Sequence, residues 1–200
     1  TVDSASKELS DVLPLLSQMK AYVPEYVRIQ RIQRDIPVPQ IACGILKSNI
    51  RQLVQQHMAE NGMQCRCIRC REVGHTGAVL EDISEVGMKT TEYEASGGTE
   101  RFIALEYEDS LIGYVRLRTD GSEMATIREL KVFGKITSIG VAGEDWQHRG
   151  FGGELLAEAE SVAKKEGCKR IRVTSGVGVR AYYATHGYHF EAPYMAKDLN

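Results

Sequence analysis

Three glycines within four positions are the residues of this chain best suited to hold a ligand. They close the run Gln147-His148-Arg149-Gly150-Phe151-Gly152-Gly153, and an amphipathic helix follows, with Leu155, Leu156, Ala159, Val162 and Ala163 on one face. Glycine lets a backbone approach a ligand closely, and a helix N-terminus presents free N–H groups and the positive end of a dipole. The run therefore predicts a phosphate site. The alternative is a glycine-rich helix start without a ligand.

A second group with chemical potential is the cysteine cluster Cys65-Arg66-Cys67-Ile68-Arg69-Cys70. Thiolates at this spacing can surround one Zn²⁺ ion tetrahedrally, and a closed structural site needs a fourth ligand. His75 is the leading candidate for that ligand, with His57 and Cys43 as alternatives. Three free or buried cysteines, or an iron–sulfur cluster, are competing interpretations. Cys168 is predicted to be an ordinary core residue.

Charge is distributed unevenly along the chain. Residues 20–71 hold nine Lys/Arg and three Asp/Glu, whereas residues 76–125 hold four and eleven. A basic segment of this kind can bind a polyanion, although charge matching within the protein explains it equally well. The basic residues predicted to contact nucleic acid are Arg28, Arg31, Arg34, Lys47, Arg51, Arg66, Arg69 and Arg71.

Composition indicates a globular chain. Its 200 residues suffice for one domain with an appendage, 42% of them are hydrophobic, and no apolar run is long enough to span a bilayer. We therefore expect no membrane partner, and we expect a cytoplasmic location. In a chain of this kind, five cysteines favour metal or thiol chemistry over disulfides.

The elements that must position these groups fall into a helical part, residues 1–85, and a β-rich part, residues 86–200. Helices are predicted at residues 5–19 and at 49–61, the latter capped by Ser48 or Asn49. Period-two patterns predict strands at 90–95, 101–107, 111–117 and 126–141. The glycine turn and its helix follow to residue 166, then a strand at 170–174, a short helix at 179–185, and closing strands near Tyr188 and Met195.

This order of elements and several ordered motifs resemble a known family. The glycine turn and the succession of four strands, helix, strand, helix and closing strands are similar to Gcn5-related N-acetyltransferases. The resemblance extends to the C-terminal half of the Elongator catalytic subunit, of the bacterial and archaeal type. It is carried by the segments at residues 31–37, 49–53, 70–74, 93–98, 111–118, 127–130, 147–152 and 175–183.

The resemblance implies an α/β (α+β) acetyltransferase fold with a mixed central sheet, preceded by a small helical, zinc-bearing connector. It implies an acetyl-CoA-dependent acyltransferase acting in the conversion of tRNA wobble uridine toward 5-carboxymethyluridine. Relatives carry a radical S-adenosylmethionine barrel with an iron–sulfur cluster. This chain has neither that barrel's cysteine spacing nor room for it, so we expect an isolated acetyltransferase domain with its connector.

The resemblance also assigns roles to residues. The coenzyme is expected at Gln147, His148, Arg149, Gly150, Phe151, Gly152 and Gly153, at the fourth strand near Leu130, Lys131 and Val132, and at Ser175. A backbone N–H of that strand would polarise the thioester carbonyl. Tyr182 and Tyr183 are expected beside the coenzyme, one as a general acid toward the departing thiolate and one in packing. Glu129 could order a water or deprotonate a nucleophile, or form a structural ion pair.

Two other functions remain open from the sequence. The fold alone is compatible with a protein lysine N-acetyltransferase, in which the acceptor is a lysine side chain. The cysteine cluster and basic residues are also compatible with a non-catalytic zinc- and RNA-binding module.

Overall fold

We analysed a computed structural model of the chain, which describes residues 2–33, 36–41, 45–78, 83–134 and 150–200; at residues 2–8, 38 and 83 only the backbone is described. The chain forms two compact units, Thr1–Arg71 and Glu72–Asn200. Among the described residues, no helix is both long and apolar enough to cross a membrane.

The N-terminal unit is helical, as predicted. It contains α1 (Val2–Ala21), a 3-10 turn (Val38–Gln40), α2 (Ile50–Glu60) and α3 (Ile68–Arg71). Ile50, Val54 and Met58 recur on one face of α2 and are buried together with Cys65 and Cys67. The predicted side-chain cap of α2 is not formed by Asn49. Its backbone carbonyl instead accepts the first helical bonds, from the N–H groups of Gln52 and Leu53 at 3.0 and 3.2 Å.

The division between the units falls earlier than the predicted boundary between residues 85 and 86. Glu72 forms a parallel bridge with Leu111, and the hydroxyls of Thr76 and Ser110 are 2.9 Å apart. These contacts join the short helix α4 (Val73–Thr76) to the sheet. A 3-10 turn (Ile83–Glu85) then leads into the first strand.

The C-terminal unit is built on a seven-stranded mixed sheet, which confirms the predicted fold class. The strands are β1 (Gly87–Ala95), β2 (Gly98–Tyr107), β3 (Ser110–Thr119), β4 (Met124–Val132), β5 (Arg170–Val173), β6 (His189–Glu191) and β7 (Tyr194–Asp198). Their spatial order is β1-β2-β3-β4-β5-β7-β6, and only β4 and β5 are parallel. The predicted β region 126–141 corresponds to β4, and its residues 135–141 lie outside the described part of the chain.

The parallel pair is short, and this creates an opening in the sheet. β4 and β5 pair from Met124↔Arg170 to Ile127↔Val173, after which one more bond joins the Thr174 N–H to the Ile127 carbonyl at 3.1 Å. β5 ends there, whereas β4 continues to Val132. Among the described residues, the last ones of β4 therefore have no strand partner on the β5 side.

A bulge interrupts β4 in the same region. The register with β3 passes from Arg116↔Glu129 to Leu117↔Ile127, so that Arg128 is the extra residue. Bulges change the direction of a side chain and occur frequently beside functional sites.

Helix α5 (Phe151–Lys165) covers one face of the sheet. Leu155, Leu156, Ala159 and Ala163 are buried, as predicted, against Ile103, Val115, Leu117, Ile127 and Ile171. Burial of each leucine contributes about 1.5–3 kcal/mol, enough to hold the N-terminus of α5 at the end of β4. Cys168 is also buried in this cluster, which confirms its predicted core role.

Candidate functional site

A cleft of about 450 Å³ lies where the end of β4 that extends beyond β5 meets the start of α5. Helix α6 (Arg180–Thr185), preceded by a 3-10 turn (Val177–Val179), forms the other side. The described residues that line the cleft are Leu130, Val132, Gly150, Gly152, Gly153, Val179, Tyr182, Tyr183 and His186. The structure thus brings together residues of the glycine turn, of the fourth strand and of the tyrosine pair, as predicted.

Two glycines of the turn are required for different structural reasons. Gly150 precedes α5 with φ of +86°, a left-handed conformation that side chains rarely adopt. Gly152 has ordinary helical φ, but a Cβ there would lie 2.6 Å from the hydroxyl of Tyr182. Gln147, His148 and Arg149, which were predicted to join this site, lie outside the described residues.

The start of α5 has the properties of an anion site. The N–H groups of Gly153 and Glu154 bond to the Gly150 carbonyl at 2.8 and 3.1 Å, while those of Phe151 and Gly152 precede the first helical bond. Together with the helix dipole, such amides attract phosphate. The side chain of Phe151 is buried in the core, so only its backbone can contribute.

The β4 wall supplies backbone groups and apolar surface. Leu130 and Val132 line the cleft and are half-buried. The ammonium of Lys131 lies over the ring of Phe133, 5.1 Å from its centroid, and Lys131 is not among the lining residues. Its predicted coenzyme contact is therefore limited to its backbone.

The tyrosine pair divides into one exposed and one buried ring. Tyr182 is 37% exposed, Tyr183 is 6% exposed, and the rings meet edge to face with centroids 5.3 Å apart. Burial raises the pKa of Tyr182, and burial with the neighbouring Tyr182 raises the pKa of Tyr183 to about 12. Both phenols are therefore protonated near neutral pH and can donate a hydrogen bond. Tyr183 belongs to the hydrophobic core, in the packing role expected for one of the two.

Glu129 lies in an ion-pair network rather than in the cleft. Its carboxylate accepts a hydrogen bond from the Tyr114 hydroxyl at 2.6 Å and one from Arg116 Nε at 3.1 Å. Because successive residues of a strand point to opposite faces, Leu130 faces the cleft and Glu129 does not. The structure favours the structural alternative that the sequence left open for this residue.

One cleft residue was missed by the sequence analysis. His186 follows α6, with its ring centroid 4.8 Å from that of Tyr182. A Cβ on Gly153 would lie 3.1 Å from His186 Cε1. Its spacing of four residues from Tyr182 places both on one helix face, which is the signal that could have found it.

Ser175, predicted to contact the coenzyme, is not among the lining residues. Its hydroxyl is buried without a hydrogen-bond partner in the described structure.

The three clustered cysteines converge in the N-terminal unit. Their Sγ atoms lie within 4.8 Å of one another, and Cys65 and Cys67 are buried. Zn–S bonds of about 2.3 Å in a tetrahedral site put sulfurs about 3.8 Å apart, so the arrangement fits zinc after a small contraction. Hydrogen bonds from the other two thiols lower the pKa of Cys67, and the bond to Cys67 raises the pKa of Cys65.

A buried lysine accompanies the thiols. Lys20 of α1 is 3% exposed, and its ammonium donates to Cys70 Sγ at 3.5 Å. For the fourth ligand, His75 is exposed on α4, His57 Nδ1 lies 2.9 Å from the Ser17 hydroxyl, and Cys43 lies outside the described residues. The identity of that ligand stays a prediction.

The residues predicted to bind nucleic acid differ in exposure. Arg71 is 2% exposed, so its guanidinium is not available to RNA and its assignment is corrected. Arg51 donates to the carbonyls of Ile29 and Gln30, and Arg66 forms an ion pair with Glu25 at 3.4 Å. The remaining described members of the set are exposed Arg31 and Lys47 and half-buried Arg28 and Arg69; Arg34 lies outside the described residues.

Together, the mixed sheet, the gap between β4 and β5 and the glycine-led helix form an acyl-coenzyme A acetyltransferase architecture. The chain belongs to the acetyltransferase (GNAT) family, whose sequence profile matches residues 69–188.

Similarity to individual proteins is more specific. The chain is 42% identical to a "tRNA uridine(34) acetyltransferase" of Methanocaldococcus infernus, over 94% of this chain and 38% of that protein. It is 38% identical to the "Elongator complex protein 3" of Homo sapiens, over 95% of this chain and 37% of that protein. The chain therefore spans less than two fifths of the length of these curated relatives.

A solved structure agrees with the sequence comparison. The archaeal Methanocaldococcus infernus Elp3 with an N-terminal deletion (1–46) superimposes with a TM-score of 0.85 at 41% identity, over 95% of this chain and 48% of that one. The resemblance to the Elongator catalytic subunit is thereby confirmed.

Proposed function

We propose that this chain is the acetyl-CoA-binding part of a tRNA-modifying acetyltransferase that acts on wobble uridine, in the route to 5-carboxymethyluridine. The observation that carries the proposal is the cleft, in which the amides at the start of α5, the free edge of β4 and the Tyr182 phenol face one space. The names of two archaeal relatives, which refer to tRNA uridine(34), support the substrate class.

Each wall of the cleft has a role in the proposed chemistry. The α5 amides would bind the pyrophosphate of the coenzyme, with Gly150 and Gly152 allowing its close approach. A backbone N–H near Leu130 would donate to the thioester carbonyl oxygen as negative charge develops there. Tyr182, the more exposed phenol, would protonate the thiolate as the carbon–sulfur bond breaks. The attacking group is water, or an acceptor presented by the substrate.

We further propose that Cys65, Cys67 and Cys70 hold a structural zinc ion. The support is the convergence of three sulfur atoms, two of them buried, beside the Lys20 ammonium. When bound, zinc would cross-link α3 with the chain that precedes it. The metal would add to the apolar contacts that already bury Cys67 and Ile68.

Exposed basic residues of the N-terminal unit, led by Arg31 and Lys47, are proposed to bind the tRNA backbone. Arginine and lysine contacts to phosphate provide affinity and salt dependence without base specificity.

The deciding experiment measures release of free CoA from acetyl-CoA, with and without tRNA. We expect binding of acetyl-CoA and hydrolysis that tRNA accelerates. Transfer of labelled acetyl to a lysine peptide in the absence of RNA would favour the lysine acetyltransferase alternative. A thermal shift with tRNA but none with acetyl-CoA would favour a non-catalytic module.

A further inference from the structure

Arginines from three strands converge on the sheet face opposite α5. On β4 and β5, the residues Ala125, Ile127, Ile171 and Val173 pack in the core beneath α5. Their alternating neighbours therefore point the other way. On this opposite face lie Arg116 and Arg118 of β3, Arg128 of β4 and Arg172 of β5, which we call the arginine surface.

Contacts between these side chains establish that they form one connected patch. Glu100, whose side chain is 2% exposed, pairs with Arg128 at 2.6 Å and Arg118 at 3.3 Å. Arg116 bonds to Glu129 and to the Tyr93 hydroxyl, both at 3.1 Å. A recess of about 510 Å³ opens between Tyr93, Glu100, Arg116, Arg128 and Glu129.

Arg172 extends the patch onto β5. Its Nε donates to the Thr126 hydroxyl at 3.1 Å, and its guanidinium lies over the Tyr194 ring, 4.7 Å from the centroid. Within the described part of the chain, Arg172 has no carboxylate partner. Thr126 is opposite Arg172 in the register, and Arg128 follows two residues along β4.

The charges of this patch do not cancel. Among the described residues, the four guanidinium groups of the arginine surface meet two carboxylates, those of Glu100 and Glu129. Arg170 on the same face is already paired with Glu191 and Asp198. Arg128 is 55% exposed although one of its nitrogens is fixed by buried Glu100. A guanidinium held in place by one bond and open to solvent on its other side is suited to bind an anionic oxygen.

We propose that the arginine surface binds the phosphate backbone of a single-stranded RNA segment. The proposal rests on the proposed function for its choice of RNA among polyanions. Two phenol rings, Tyr93 and Tyr194, border the patch, and such rings provide stacking surfaces for unpaired bases.

The position of the patch connects it to the coenzyme cleft. Glu129 bonds to Arg116 on this face, whereas Leu130, the next residue, lines the cleft on the other side of β4. A nucleotide bound at Arg128 would lie across one strand from the thioester, beside the opening left where β5 ends. In this proposal the RNA approaches the cleft from the sheet face opposite α5.

The test measures fluorescence anisotropy of a labelled oligouridylate of about ten nucleotides with the whole chain. We expect Arg128→Ala with Arg172→Ala to weaken binding about tenfold at low salt. The slope of log K against log salt should fall by about 1.4, which is 0.7 for each of two lost phosphate contacts on a single strand. Arg128→Lys with Arg172→Lys should retain much of the affinity, since charge is kept.

Arg170→Ala is the matched control. Arg170 lies on the same strand and face, but Glu191 and Asp198 already hold its guanidinium at 2.6 and 2.9 Å. Its replacement should change oligouridylate affinity less than about twofold. Circular dichroism and acetyl-CoA affinity, both expected to be unchanged in the double variant, exclude a loss of fold.

Three results would overturn the proposal: no oligouridylate binding by the parent chain, equal binding by the double variant, or an equal loss with Arg170→Ala. If a polyglutamate peptide binds through Arg128 and Arg172 while oligouridylate does not, the surface receives an acidic protein segment instead. Acetyl-CoA affinity, measured in parallel, separates failure of this surface from failure of the proposed coenzyme function.

Discussion

The hydroxyl of Tyr182 occupies the space where residue 152 would otherwise carry a side chain, 2.6 Å from the ideal Cβ position of Gly152. Helix α6 thereby presses against the first turn of α5. Residue 152 must therefore be glycine to leave room for the Tyr182 side chain, in addition to any room that a ligand needs. The contact also fixes the phenol beside the amides at the start of α5.

Replacement of Gly152 by alanine should weaken acetyl-CoA binding at least tenfold, because Tyr182 must move out of the cleft wall. Tyr182→Phe in the same chain should restore part of the affinity, since removal of the hydroxyl relieves the closest contact; the next ring atom is 3.4 Å from the Cβ position. Calorimetric titration of the parent, both single variants and the double variant measures this coupling. Gly87→Ala, which meets only one atom at 4.0 Å, is the control, and strictly additive effects would contradict the contact.

Substitution of Gly150 should destabilise the fold because of its backbone conformation and not because of a steric clash. A Cβ there meets nothing within 4 Å, but φ is +86°. We expect Gly150→Ala to lower the free energy of unfolding by about 1–2 kcal/mol and Gly150→Asn to lower it less, because asparagine tolerates the left-handed region better. Urea denaturation measures both. Equal losses for the two variants would argue against a conformational cause.

The cysteine cluster should carry one zinc ion per chain. Cys67→Ser should lose the metal, because a buried sulfur at the centre of the three is replaced by a poorer ligand. Elemental analysis of purified protein checks this, with buried Cys168→Ser, which lies outside the cluster, as the control. A full equivalent retained by Cys67→Ser would refute the site. Comparison of His75→Ala with His57→Ala tests the fourth ligand.

The free energy of unfolding should decrease at alkaline pH because of Tyr183. Its pKa is raised from 10.0 to about 12 in the folded chain, so its contribution is complete below pH 10 and is lost as pH rises toward 12. Unfolding free energies measured by urea at several pH values in this window should fall less steeply for Tyr183→Phe than for the parent. Parallel pH profiles for the two proteins would show that the buried phenol does not cause the loss.

The N-terminal unit should make its own contribution to tRNA binding. Arg31→Ala with Lys47→Ala removes two exposed cations and should lower the salt slope by roughly one unit for each lost phosphate contact. Filter binding of tRNA at several salt concentrations measures this. Acetyl-CoA affinity should be unchanged. An unaltered tRNA affinity and slope would place the RNA contacts of the chain elsewhere.

Local sequence patterns were sufficient to predict most of the elements. Alternation of apolar residues predicted β1 to β3, and helical spacing predicted α1, α2 and the buried face of α5. The cysteine spacing predicted the convergence of Cys65, Cys67 and Cys70, since a run of six residues can bring three thiols together with few other contacts. These features depend on residues close in the chain, where backbone geometry alone limits the arrangements.

Charge counting along the chain was less informative. The segment 76–125 is acidic in sequence, with eleven Asp/Glu against four Lys/Arg. Strand pairing instead buries Glu100 between Arg118 and Arg128, and turns Glu92 toward Arg101 on the other face. Arg71, counted as a surface cation, is buried. Net charge by segment cannot anticipate which side chains share a face.

By itself, the sequence determined the order of elements, the glycine turn and the cysteine cluster, because each is encoded by neighbouring residues. Only the tertiary structure decided that Tyr182 contacts Gly152, that His186 enters the cleft, and that a bulge directs Arg128 toward Glu100. The contact between Arg128 and Glu100 depends on the sheet register, and the positions of Tyr182 and His186 depend on the packing of α5 against α6. A one-residue change in register would turn each strand side chain to the opposite face, so the site depends on the pairing of the whole sheet.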